Sequence, residues 1–230
     1  MGIEKIIGNY DDAQSLGSRF RRRRFAPLLK TIERISAAKG SVSILDIGGM
    51  ERYWNIVPAD DLARLNVKIT LLNLPDDVKA PTRPDIFTAV EGDGRTLPFA
   101  DGAFDISHSN SVIEHVFGWQ QKTTYAQEAM RMADVWFHQT PNYWFPWEPH
   151  FGLPFFHWLP EPIRIAVTLR RQLGWTPKSK DIGEAMGVME YATLLTRAQF
   201  AFLFPGASVV DERFLGIVKS FVAMKGIDPA

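Results

Sequence analysis

Cysteine is absent from the chain, which excludes disulfides, thiolate nucleophiles and cysteine-ligated zinc and fits a reducing compartment. An excess of charge is absent too. The 26 lysines and arginines balance 26 aspartates and glutamates, so no overall attraction to nucleic acid is implied. No apolar run approaches the roughly 18 residues of a membrane-spanning helix. The opening MGIEKIIGNYDD lacks the apolar segment of a secretion signal, and Ile6 stands where a myristoylation pattern needs Ser or Thr. A cytoplasmic protein is therefore expected. Two nucleotide-binding glycine patterns are also missing. After Gly48, Met50 and Tyr53 replace the second and third glycines of G-x-G-x-x-G, and there is no G-x-x-x-x-G-K-[ST] loop. No internal repeat is visible.

What is present points to an α/β chain. Its 230 residues, 46% of them apolar, suit one domain with room for a small insertion. The stretch SILDIGGMER, Ser43 to Arg52, reads as a buried strand over Val42 to Ile47, an acidic residue near its end, a glycine turn and a helical run from Glu51. In doubly wound sheets this turn faces the ligand crevice, although an ordinary tight β–α turn has the same composition. Before it, residues 1–16 read as a polar lead. RFRRRRF, Arg19 to Phe25, then precedes Pro27 and an amphipathic helix with Leu28, Leu29, Ile32 and Ile35 on one face, ending near Gly40. The arginine run reads either as a solvated helix face with two core phenylalanines or as a contact for an anionic group or membrane surface.

Further strands are expected over Val67 to Leu72, Ile86 to Val90, from Phe104 into His108-Ser109-Asn110-Ser111, and over Ala133 to Gln139, with a helix around Thr123 to Met132. Strands alternating with helices argue for a doubly wound, mostly parallel sheet. Asn73 closes the second strand, where it suits either a ribose contact or the turn before Pro75. From Thr140 to Pro162 prolines and aromatics crowd together without a clean period, as in an insertion packed at the ligand edge. Ile163 to Leu173 reads as a helix with Arg164, Arg170 and Arg171 exposed. Thr196 to Phe204 reads as a helix capped by Thr196, and Ala207 to Glu212 and Gly216 to Lys225 as closing strands.

With these elements in order, the chain resembles the class I S-adenosylmethionine-dependent methyltransferases of the broad type 11 group over nearly its whole length. ILDIGG (Ile44 to Gly49), LLNL (Leu71 to Leu74), GDGRTLPFADGAFDIS (Gly92 to Ser107) and SNSVIEHV (Ser109 to Val116) carry the resemblance, the last two most specifically. It implies a seven-stranded Rossmann-like sheet whose last strand is antiparallel, and a single domain over 1–230 with a helical segment (1–40) and an insertion or cap (140–195). It implies S-adenosyl-L-methionine as cofactor. Asp46, Gly48 and Gly49 would border its methionine part, Asn73 would meet its ribose, Asp93 its adenine amine, and Ser109 and Asn110 the methionine end, with Leu74 and Gly94 also at the cofactor. Met50 and Asn73 depart from the family's second glycine and usual acid.

Methyl transfer to an O- or N-acceptor needs position, dryness and sometimes a base. The candidates are His150 and Glu148 in the aromatic insertion and His115 after strand four. His108, His138 and His157 sit in strand or apolar contexts. No histidine spacing matches a metal motif, so no metal is expected. The acceptor is expected to be a small molecule, a sugar or a lipid-linked compound, without nucleic acid. The rings of Tyr143 to Trp158 are expected to cap the acceptor pocket. Packing on the sheet, a homodimer contact and a peripheral membrane contact are alternatives for them. A scaffold domain that keeps the fold but lost the reaction is the rival reading, motivated by Met50 and Asn73. A nicotinamide-dependent dehydrogenase is weakened by the missing fingerprint.

Overall fold

The computed structural model describes residues 15–174 and 176–228. The expected polar lead lies almost wholly outside the described residues. Helix α1 (Leu16–Lys39) starts well before Pro27 rather than after it. Ser15 Oγ accepts from the Ser18 N–H at 3.1 Å to begin it, and left-handed Gly40 ends it by donating to Ser36 O. Proline inside a helix removes the bond to the carbonyl four residues back. Here that residue is Arg23, which is exposed, so water can serve the carbonyl.

The remaining elements follow in chain order. They are β1 (Val42–Ile47), a 3₁₀ turn (Glu51–Ile56), α2 (Ala59–Arg64), β2 (Val67–Asn73), β3 (Phe87–Glu91), β4 (Ile106–Asn110), α3 (Trp119–Arg131) and β5 (Val135–Pro141). After an insertion come α6 (Arg197–Leu203), β8 (Ser208–Phe214) and β9 (Ile217–Lys225), the insertion itself holding β6 (Trp147–Glu148), β7 (Leu153–Pro154), α4 (Glu161–Thr168) and α5 (Ile182–Glu190). The seven-stranded sheet has the order β3-β2-β1-β4-β5-β9-β8. The first five strands pair in parallel, and β9 runs antiparallel to both neighbours. The expected α/β, doubly wound, mostly parallel architecture is what the chain adopts.

Parallel sheets are covered on both faces, so their strands are apolar on both. Ile44 of β1 joins Phe25, Leu28 and Ile32 of α1 and Tyr53, Trp54 and Leu62 in one core. Leu45 and Ile47 join Tyr125, Ala126 and Ala129 of α3 and Phe200 and Leu203 of α6 in the other. Asp46, buried in β1, pairs in register with His108 of β4, and His108 with Phe137 of β5. The His108 and Phe137 rings stack with centroids 5.6 Å apart.

The run after the glycine turn is a six-residue 3₁₀ turn rather than an α-helix, so it offers no extended dipole. The proline-rich stretch is not wholly irregular. Trp147–Glu148 and Leu153–Pro154 form a two-residue antiparallel ribbon. Helix α4 stops at Thr168, short of the expected Leu173, because Leu173 and Thr176 close a turn around left-handed Gly174. Helix α5 is not among the expected elements, although Ile182, Ala185, Met186 and Met189 recur in it at helical spacing. The insertion has its own small core of Phe151, Phe156, Leu173 and Met189, with the two phenylalanine rings 4.5 Å apart. Among the described residues no helix is long and apolar enough to cross a membrane.

Candidate active site

A cavity of about 990 Å³ opens at the carboxyl ends of β1, β2 and β3 and beside the exit of β4. Its walls include Gly48, Gly49, Asn73, Leu74, Asp93, Gly94, Ser111, Val112, His115, Tyr125 and Tyr191. That volume lies at the upper end of ordinary small-ligand sites.

The glycine turn is set from behind. Gly48 has a φ of 66°, a left-handed value that costs other residues about 1 kcal/mol or more. Gly49 is required for a different reason. A Cβ there would stand 2.1 Å from Asp46 Oδ2. Asp46 does not line the cavity. Its carboxylate, 1% exposed, accepts from Trp54 Nε1 at 2.8 Å and from His108 Nδ1 at 2.6 Å. The structure thus places Asp46 behind the turn, where it ties the 3₁₀ segment to β4.

Asn73 carries a bond that an acid could not make. Its Nδ2 donates to Gly49 O at 2.8 Å, clamping the turn, while its Oδ1 makes no hydrogen bond among the described residues. Met50 is half-exposed and lies on the wall without closing the cavity. Asp93 lines the cavity but is engaged by Arg95, whose Nε lies 2.9 Å from both carboxylate oxygens and whose Nη2 also donates. These Arg95 hydrogen bonds hold the Asp93 carboxyl below its usual range.

Ser109 and Asn110 face elsewhere. Ser109 Oγ hydrogen-bonds His138 Nδ1 at 2.8 Å in the core, and Asn110 Oδ1 accepts from Arg24 Nη2 at 2.6 Å. Arg24 also bonds Glu212, so two arginines of the run, Arg21 and Arg24, turn inward rather than forming one solvated face. The residues that reach the cavity are the next two, Ser111 and Val112. Ser111 adopts a φ of 56°, and its hydroxyl donates to Gln139 Oε1 at 2.9 Å.

At the far wall His115 Nδ1 donates to Tyr191 O at 3.0 Å, which leaves Nε2 as the bare acceptor. Burial and then the charge of His150 lower its pKa to about 4. The His150 ring meets His115 edge-on at 4.9 Å, and its Nδ1 donates to Glu148 Oε1 at 2.7 Å. Burial opposes the charge on His150, but the Glu148 hydrogen bond and charge outweigh it and raise its pKa. Glu148 is buried and also accepts from the Phe151 N–H. All three expected base candidates therefore lie together, His115 on the wall and the Glu148–His150 pair behind it.

Sequence reasoning passed over Glu114 and Lys122. Glu114 is 1% exposed, and burial raises its pKa. Its Oε2 accepts from Thr140 Oγ1, and its Oε1 is buried without a partner among the described residues. Lys122 Nζ, also buried, donates to Ile113 O at 2.7 Å, to Glu114 O at 3.3 Å and to Val116 O, which fixes the turn bearing Glu114 and His115. The expected aromatic cap does not form the cavity wall. Trp144 is 61% and Phe155 51% exposed, and neither they nor Trp147 line it.

Residues 58–134, about a third of the chain, match a family model described as a methyltransferase domain. A comparison with curated proteins finds no match. Among solved structures, the PH0226 protein of Pyrococcus horikoshii OT3 is similar at 14% identity, with a TM-score of 0.53 and 98% of each chain covered. Human N-acetylserotonin methyltransferase in complex with SAM is similar at 13% identity and a TM-score of 0.47, over 94% of this chain and 60% of that one. The protein described as PigF with SAH gives 13% and 0.48, over 90% of this chain. The chain spans 58% of that protein's length. At these identities the likeness is one of fold. The matched segment contains β2, β3, β4 and α3, which border the cavity, and leaves out β1 and the glycine turn that complete its wall. Residues 58–134 are therefore similar to a methyltransferase domain, and the sheet has the order and mostly parallel pairing of a Rossmann-like methyltransferase fold.

Proposed function

We propose that this protein methylates a small-molecule, sugar or lipid-linked acceptor using S-adenosyl-L-methionine. The observation that carries the reading is the single cavity wall running from the Asn73-clamped glycine turn to His115. The residues present fit the cofactor. The turn is bare of side chains, Asn73 Oδ1 is free to accept from a hydroxyl, and the volume holds a nucleoside with its tail and an acceptor besides. When bound, the cofactor supplies an activated methyl group on a sulfonium. Gly48, Gly49, Asn73, Leu74, Asp93 and Gly94 would hold it. Asp46, Ser109 and Asn110 act from behind as positioning residues, through Trp54, His108, His138 and Arg24.

His115, His150 and Glu148 make the acceptor side. His115 Nε2 accepts a hydrogen bond from the acceptor and orients it. An imidazole with a pKa of about 4 is a weak base. It would take the proton of a phenol or another acidic hydroxyl more readily than that of an aliphatic alcohol, so among these classes a phenolic small molecule is favoured over a sugar. Glu148 and His150 hold it in place. Adding cofactor with paired phenols and aliphatic alcohols and following S-adenosylhomocysteine release tests this. Turnover with some phenols and none above background with the alcohols is expected. No turnover with any acceptor, together with no nucleoside binding, would favour the scaffold reading.

A further inference from the structure

Glu114, His115 and His150 bring a carboxylate oxygen and two imidazole nitrogens within 4.8 Å of one another. They come from the turn after β4 and from the loop between β6 and β7, and each already has one heteroatom tied. Glu114 Oε2 accepts from Thr140, His115 Nδ1 donates to Tyr191 O, and His150 Nδ1 donates to Glu148. What is left points to a missing partner. Glu114 Oε1 is buried and unpaired, and the two Nε2 atoms make no hydrogen bond among the described residues. A buried carboxylate oxygen without a partner is costly. Lys122 does not relieve it, because its ammonium is spent on main-chain carbonyls.

We propose that Glu114, His115 and His150 bind one divalent transition-metal cation of the zinc type at the acceptor end of the cavity. Two imidazoles and one carboxylate suit zinc better than magnesium. Imidazoles held through their other nitrogen by a carboxylate or a main-chain carbonyl have the outer support that metal-binding histidines ordinarily show. Metal bonds of about 2.0–2.1 Å in a tetrahedral arrangement put donors about 3.4 Å apart, so the three side chains need to draw in by no more than about 1.5 Å. Three protein ligands leave a fourth position open, and His115 places it beside the cavity. The binding itself does not depend on the methyltransferase reading; its use does. With the cation present the imidazoles are ligands, and the cation lowers the pKa of the acceptor hydroxyl in their stead.

Titration calorimetry of the chelator-treated chain with zinc chloride tests the site, with magnesium chloride as the contrast. One zinc per chain at micromolar affinity or better is expected, with magnesium far weaker. Glu114→Gln and His150→Ala should abolish the zinc heat, and Glu148→Gln should weaken binding about 10–100-fold through the imidazole it supports. Urea unfolding checks that each variant is folded. Should Glu114→Gln fail to fold, the partly exposed His150 gives the same test. No zinc binding, or binding unchanged in His150→Ala, overturns the proposal. S-adenosylhomocysteine is titrated into the same metal-free sample. Nucleoside binding without zinc binding defeats the metal site alone, and zinc binding without nucleoside binding defeats the cofactor reading alone.

Discussion

Replacing Gly49 by alanine should destabilise the fold through Asp46 and not through any ligand. The new Cβ would lie 2.1 Å from Asp46 Oδ2, 2.3 Å from its Cγ and 2.8 Å from its Cβ. Real contacts of that length do not occur, and the obstacle is a short, buried side chain with no far end to swing. Asp46 must leave, and its bonds from Trp54 Nε1 and His108 Nδ1 go with it. Hydrogen bonds to charged groups contribute about 1.5–3 kcal/mol each, and partial relaxation recovers some of the loss, so about 3–5 kcal/mol is expected. For a chain of this size that is a fall of about 6–20 °C in Tm. Urea unfolding and calorimetry measure it. Trp54→Phe removes only one bond and should cost about 1.5–3 kcal/mol. Gly49→Ala on that background should cost correspondingly less than on the wild type, because both changes break the same contact. A loss below about 1 kcal/mol for Gly49→Ala, or full additivity with Trp54→Phe, would refute the reasoning.

Three further outcomes follow from single contacts. Asn73→Asp restores the acid usual in related motifs but sets a carboxylate against Gly49 O in place of a donor. S-adenosylhomocysteine binding by calorimetry should weaken about 3–10-fold, by the loss of one hydrogen bond, and tighter binding would show that the donor is dispensable. His138 is buried, and burial first, then His108, lowers its pKa to about 3 from an ordinary 6.5. The unfolded chain binds the extra proton, so stability is held above pH 6.5 and lost as pH falls from 6.5 toward 3. His138→Gln should flatten that limb of the urea midpoint against pH by an amount on the order of 2–5 kcal/mol, and an unchanged slope would count against it. Lys122→Met removes the Nζ donor from the carbonyls of Ile113, Glu114 and Val116; the first two keep the N–H groups of Val116 and Thr193, and Val116 O loses its partner. It should lower unfolding free energy by about 1–3 kcal/mol, and a urea midpoint like the wild type's would contradict that.

The sheet was legible because Ile44, Leu45 and Ile47, or Ile69, Leu71 and Leu72, carry their signal locally. Strand alternation also separates Asp46, on the Ile44 side, from Ile47 on the cavity wall, yet motif position alone put Asp46 at the ligand. The exit of β4 misled for a related reason. The strand runs to Asn110 before left-handed Ser111 turns the chain, so the cavity meets Ser111 and Val112 and not the two residues before them. Pro27 reads locally as a helix start, and only the exposure of Arg23 explains why the helix passes through it. His115, His150 and Glu148 were visible as residue types. Their meeting depends on the insertion folding back on β4, a long-range event that periodicity does not encode. Glu114 was illegible for the same reason, since nothing in IEH announces a buried carboxylate beside a histidine 36 positions on.

Calorimetric titration of S-adenosylhomocysteine into the wild-type chain and Asn73→Ala measures whether the cavity is a cofactor site built on the clamped turn. One site per chain with micromolar affinity is expected, weakened about tenfold in the variant, as loss of one hydrogen bond and the turn clamp implies. No heat from the wild type at high-micromolar ligand, or identical affinity in both proteins, would contradict it.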